Sequence, residues 1–104
     1  ITVVGGTTPG AAGQESAWFM SSGGFSNRYA MPLYQTAAVG DYLKLGERGG
    51  LPPASKYNQS GRAFPDVSAL ATDFITVGGG GDVDGTSCSA PTFAGIVSLL
   101  NDRR

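Results

Sequence analysis

The sequence contains no histidine, and that absence bears hardest on what chemistry is open to it. Neither a Ser-His-Asp triad nor a Cys-His pair can be assembled from these 104 residues. A nucleophile here needs another base, and a carboxylate is the natural substitute. Cysteine is nearly absent as well: Cys88 alone excludes an internal disulfide and a multi-cysteine metal site, and the residues themselves name no metal or other cofactor. Charge is scarce, at 14% of residues with a formal net charge of -1, so the basic patch of a nucleic-acid binder is missing. No run approaches the roughly 20 apolar residues of a membrane-spanning helix, and no stretch makes an amphipathic anchor. Neither nucleic acid nor a membrane is expected as a partner.

Glycine and proline are plentiful, at 17 and 6 residues, which implies many turns and special backbone conformations. With 40% hydrophobic residues the chain has enough for a core, and its length predicts one modest globular domain over residues 1–104. It opens on Ile1 without a signal-peptide pattern, which points to a processed product or a fragment of a longer chain. Asn58-Gln59-Ser60 is a glycosylation sequon that suits a secreted protein, though such triplets also arise by chance.

Along the chain, the β-prone residues 1–4 predict a buried strand that stops at Gly5-Gly6, followed by a loop, with Gly23-Gly24 marking a sharp turn or a place where another group comes close. Ala38, Val39, Tyr42, Leu43 and Leu45 predict a helix over residues 34–45 with one apolar face. Residues 46–62 read as a long surface loop. Pro65 makes the run at 64–71 an edge strand or a strand start, and Asp66 within it needs hydrogen-bond partners, backbone capping being favoured over catalysis. Residues 74–77 predict a strand, with a looping return through Gly78 to Gly81, Asp82 and Asp84.

A final helix is predicted around Pro91, with Phe93, Ile96, Val97 and Leu100 as its inner face and Arg103 and Arg104 at its negative pole. Just before it, Gly85-Thr86-Ser87-Cys88-Ser89-Ala90-Pro91 places a serine at a glycine-rich turn, where backbone N–H groups favour an oxyanion. Two roles stay open for Ser87 on spacing alone: a nucleophile, or a turn and capping hydroxyl. Ser89, nearer Pro91, is the better capping candidate, and Cys88 reads as a buried small hydrophobe rather than a nucleophile.

The segment Gly85 to Pro91, with Thr92-Phe93-Ala94-Gly95-Ile96-Val97 behind it, resembles the nucleophile segment of the sedolisins, the serine-carboxyl peptidases that include the tripeptidyl peptidases. Further matches occur in that family's order: Val3-Val4-Gly5-Gly6-Thr7-Thr8, Ser22-Gly23-Gly24-Phe25-Ser26-Asn27-Arg28-Tyr29, Tyr34-Gln35, Tyr42-Leu43 and Gly61-Arg62-Ala63-Phe64-Pro65-Asp66-Val67-Ser68-Ala69. Cys88-Ser89-Ala90 after the serine is similar to fungal members. Subtilisins share the Gly-Thr-Ser and proline pattern but typically follow the proline with histidine, where this chain has Thr92 and Phe93.

The resemblance implies an α/β fold of subtilisin-like parallel-sheet architecture, represented here by the C-terminal part of a peptidase catalytic domain. It makes Ser87 the catalytic nucleophile, with its own N–H in the oxyanion hole, and gives Gly85 and Thr86 the shaping of the turn. The family's glutamate base, its supporting aspartate and its oxyanion aspartate match no residue here. Glu15, Glu47, Asp82 and Asp84 are not substitutes. The family's calcium ligands fall downstream of Arg104. The implied activity is hydrolysis of polypeptide substrates at acidic pH, in a secreted or lysosome-like or vacuole-like setting, with the isolated chain inactive. A second class stays open: a binding or self-associating module that has lost catalysis, since cut sheet edges tend to pair.

Overall fold

The computed structural model of the chain describes residues 1–46, 49–78 and 80–104. In chain order the elements are β1 (Val4–Pro9), β2 (Glu15–Ala17), β3 (Gly24–Ala30), α1 (Thr36–Gly46), β4 (Gly61–Phe64), β5 (Val67–Leu70), β6 (Phe74–Ile75), β7 (Asp82–Val83) and α2 (Thr86–Asp102). Short 3₁₀ turns lie at Ala11–Gly13, Leu33–Gln35 and Ala54–Lys56. The chain is thus mixed α/β, and it forms two compact units: Ile1–Ser22 with Pro65–Arg104, and Gly23–Phe64.

The first unit carries the serine. Its sheet runs β2-β1-β5, with β1 and β5 parallel from Val4 opposite Val67 to Thr7 opposite Leu70. Strand β2 pairs antiparallel with the far end of β1, Thr7 opposite Ala17 and Pro9 opposite Glu15. Strand β1 does not stop at Gly5-Gly6 as the sequence predicts; it runs through both. The glycines are there for room, not for a break. A Cβ on Gly6 would stand 2.7 Å from Ala71 Cβ and 3.2 Å from the Trp18 ring. Helix α2 lies against β1 and β5, so this thin stretch of sheet lets the helix approach.

Asp66 takes the backbone-capping role expected of it. Its carboxylate accepts the Val3 N–H at 2.8 Å, while its own N–H donates to Val3 O at 2.9 Å, fastening the entry of β5 to that of β1. Strands β6 and β7 form the looping return, antiparallel with Phe74 opposite Val83. Gly79, inside the predicted return, lies outside the described residues.

In the second unit Gly23-Gly24 is not a sharp turn but the entry to β3, where another group does come close: a Cβ on Gly24 would stand 3.3 Å from the Phe64 ring. Strand β3 pairs antiparallel with β4 and shifts register between Phe25 and Ala30. Helix α1 forms where the periodicity places it, preceded by a 3₁₀ turn. Of its predicted apolar face Val39 is buried, Leu43 half-buried, and Ala38, Tyr42 and Leu45 exposed. The buried Gln35 amide makes two hydrogen bonds to β4, donating to Ala63 O at 2.9 Å and accepting the Ala63 N–H at 3.0 Å. The expected loop over 46–62 holds a 3₁₀ turn and gives way to β4 at Gly61; Glu47, within it, lies outside the described residues.

The core is smaller than composition predicts. Among the described residues Val39 and Ala71 are the buried hydrophobic side chains. The predicted inner face of α2 is largely uncovered: Phe93 is half-buried, but Ile96, Val97 and Leu100 are 49%, 37% and 62% exposed. A three-stranded sheet with two parallel neighbours cannot cover a 17-residue helix along its length.

Candidate active site at the start of helix α2

Helix α2 begins at Thr86, a full turn earlier than Pro91 predicts, so Ser87 lies in its first turn rather than on the loop before it. Its N-cap is Gly85, with φ 158° and ψ 152° and no side-chain capping bond. A Cβ on Gly85 would sit 2.8 Å from Ser87 Oγ, so a bare backbone here leaves the hydroxyl its space. Thr86 lies on the sheet side of the turn, its Cγ2 3.5 Å from where a Cβ of Gly6 would be.

Two bonds fix this turn to the end of β5. Gly85 donates its N–H to Ala71 O at 2.7 Å, and the Ser89 hydroxyl donates to Leu70 O at 3.1 Å. Ser89 is fully buried. The expectation that Ser89 caps the helix is therefore wrong: its position four residues after Gly85 is already inside the helix, and its hydroxyl points across to the sheet. Cys88 is half-buried, its thiol 3.9 Å from Val83 O, as a small packed side chain would be. Arg103 is the C-cap, beyond the last turn, and no basic residue lies within that turn.

Ser87 itself is exposed, and among the described residues its Oγ makes no hydrogen bond. It stands at the helix end where N–H groups lack intrahelical partners and the dipole favours negative charge, which suits a developing oxyanion. The chain's acids are engaged elsewhere or stand in the open. Asp84 accepts the Asp73 N–H at 3.0 Å, Asp73 accepts the Thr72 hydroxyl at 2.9 Å, and Glu15 accepts the Thr7 hydroxyl. Asp82 is exposed on β7, and Glu47 lies outside the described residues. The structure thus brings Gly85, Thr86 and Ser87 together and sets no carboxylate on Ser87 Oγ among the described residues.

A groove of about 430 Å³ opens between the start of β1 and α2, lined by Val4, Phe93, Ala94 and Val97 among others, and Ser87 is not part of it. The sequon residue Asn58 is half-buried, its Nδ2 donating to Ser26 O at 2.9 Å and its Oδ1 accepting from the Ser60 hydroxyl at 2.8 Å. Among the described residues no three acidic, cysteine or histidine side chains gather where they could hold a metal ion. No described helix is long and apolar enough to cross a membrane.

Sequence reasoning found Ser87 and its glycine turn but missed the links from Gly85 and Ser89 to β5. Spacing along the chain carries no trace of them.

Ser87 thus lies in the first turn of a helix tied to the end of a parallel strand, in a chain without histidine. The chain's relatives belong to the sedolisin family, and the likeness runs over its whole length. They include tripeptidyl-peptidase 1 of Rattus norvegicus and of Mus musculus, each 44% identical over 110 aligned residues, and that of Homo sapiens, 43% identical over 110. Each alignment takes in all of this chain and 19% of the relative, so the chain spans about a fifth of the length of the curated relatives it matches. No family model matches it.

Proposed function

We propose that this chain supplies the nucleophile to a serine-carboxyl peptidase, as the C-terminal part of a catalytic domain of subtilisin-like architecture and of fungal type by its Cys88-Ser89-Ala90. The observation that carries this reading is the exposed Ser87 hydroxyl in the first turn of α2, held to the end of β5 in a chain that has no histidine.

Ser87 Oγ attacks the carbonyl carbon of a peptide bond while its proton passes to a carboxylate. The negative charge that forms on the carbonyl oxygen lies toward the N–H groups at the start of α2. The amine leaves with a proton returned by the same carboxyl group, and water then releases the acyl group by the same sequence. In this reading the carboxylate base, the oxyanion aspartate and any bound calcium belong to polypeptide outside the 104 residues, which fits relatives about five times as long. A carboxylate with an ordinary pKa near 4 accepts a proton best in mild acid, which suits a lysosome-like or vacuole-like compartment or an acidic secreted setting.

The test is to express the full-length polypeptide carrying this segment and assay it on a peptide substrate at about pH 4, beside Ser87→Ala and the 104-residue chain alone. The expected result is turnover by the full-length form only, lost by at least about a thousandfold in Ser87→Ala, with an acyl adduct mapped to Ser87. Robust turnover by the 104 residues alone would refute the idea of a shared site.

A second reading, a self-associating module without catalysis, is favoured by the uncovered apolar face of α2. An intact-mass measurement on natural material, compared with its transcript, separates the two: a longer precursor supports the peptidase, a 104-residue frame the module.

A further inference from the structure

We propose that Ser89 is the positioning residue of the nucleophile: its buried hydroxyl pins the first turn of α2 to the open edge of β5 and so sets where Ser87 Oγ stands. The inference rests on Ser87 being the nucleophile, as argued above. The peptide group between Leu70 and Ala71 is gripped from both sides. Its N–H, on Ala71, donates to Thr7 O at 2.8 Å, toward β1. In a trans peptide the carbonyl points the other way, so Leu70 O faces away from β1, and among the described residues β5 has no second strand neighbour to supply a donor. The Ser89 hydroxyl supplies it at 3.1 Å. One residue on, Ala71 O takes the Gly85 N–H at 2.7 Å. Ser87 sits midway between these two attachment points and makes neither.

The turn has little else to hold it. Gly85 provides no side-chain cap, and Cys88 N–H returns to Gly85 O at 2.8 Å in the tight 3₁₀ manner. Pro91 has no N–H, so the Ser87 carbonyl lacks the donor that the fourth residue along a helix ordinarily gives. A serine or threonine inside a helix commonly turns its hydroxyl back to a carbonyl of its own helix, and Thr92 does this with Cys88 O at 2.8 Å. Ser89 instead reaches a strand 19 residues earlier in the chain. Among the described residues it makes the one side-chain hydrogen bond between the first turn of α2 and β5. Removing its hydroxyl leaves Leu70 O without that donor and frees the segment that carries Ser87.

The experiment compares wild type, Ser89→Ala and Ser89→Cys in the full-length polypeptide, by steady-state kinetics on a peptide substrate and by hydrogen exchange of backbone amides. Ser89→Ala is expected to lower kcat by about 10- to 100-fold, the scale of a misplaced reacting group, with KM within about twofold. Exchange should quicken at Gly85 to Cys88 while β1 stays protected. Ser89→Cys, which keeps the size and a weak donor, should recover part of the loss. A Ser89→Ala enzyme with kcat within about twofold of wild type, or with exchange raised equally in β1 and in the turn, overturns the proposal. Absence of turnover in wild type would overturn the peptidase reading instead, and the exchange pattern alone then decides whether Ser89 holds the turn.

Discussion

At the scale of single residues, the atoms that matter most to Ser87 belong to neighbours that carry no catalytic group. Gly85 is the sharpest case, because a methyl there would stand 2.8 Å from Ser87 Oγ on a backbone at φ 158°. Gly85→Ala should therefore turn the hydroxyl aside and lower kcat in the full-length polypeptide by about 10- to 100-fold with KM little changed. Burst titration of the acylated serine checks it: the fraction of reactive sites should fall while the folded fraction does not. Asp66 answers to stability rather than rate. Its carboxylate accepts the Val3 N–H, and hydrogen bonds to a charged group contribute about 1.5–3 kcal/mol. Asp66→Ala should cost that amount in urea denaturation, and Asp66→Asn, whose amide oxygen still accepts, should cost less.

At the scale of elements, the outcome turns on β1. Gly6→Ala places a methyl 2.7 Å from Ala71 Cβ and forces the parallel pair β1 and β5 to give, at an expected cost of about 1–3 kcal/mol. A denaturation midpoint lowered without a change in slope would show it. The same glycines explain why β1 was hard to read in the sequence. Glycine normally weakens a strand, and only the closeness of Ala71, 65 residues later, reveals that here it permits one. Local patterns did carry α1, the body of α2 and the β6–β7 return, because their signals lie within a few residues. Strands β3 and β4 owe their existence to partners far along the chain, such as Gly24 opposite Phe64, and were not legible. The site divides the same way. Ser87 and its glycine turn are adjacent in sequence and visible there, while Ser89 looks like a cap until α2 is seen lying on β5.

At the scale of the whole molecule, surface area becomes the argument. The exposed large apolar side chains on α2 include Ile96, Val97, Leu99 and Leu100. An uncovered stripe of this kind is covered by other polypeptide when any is present, because burying apolar surface stabilises by about 25 cal/mol per Å². The isolated 104 residues should therefore self-associate, with a sedimentation coefficient that falls on dilution, and should bind a hydrophobic dye. Ile96→Glu with Leu100→Glu should reduce both, since a charged stripe opposes burial. In the full-length polypeptide the same pair should impair folding if the rest of a peptidase domain covers α2, whereas a free module face would tolerate it. A full-length double variant that folds and sediments like wild type would thus argue against a covered helix and favour the self-associating reading. Loss of folded protein, beside an unaffected variant at the exposed Asp82, would place α2 inside a larger domain.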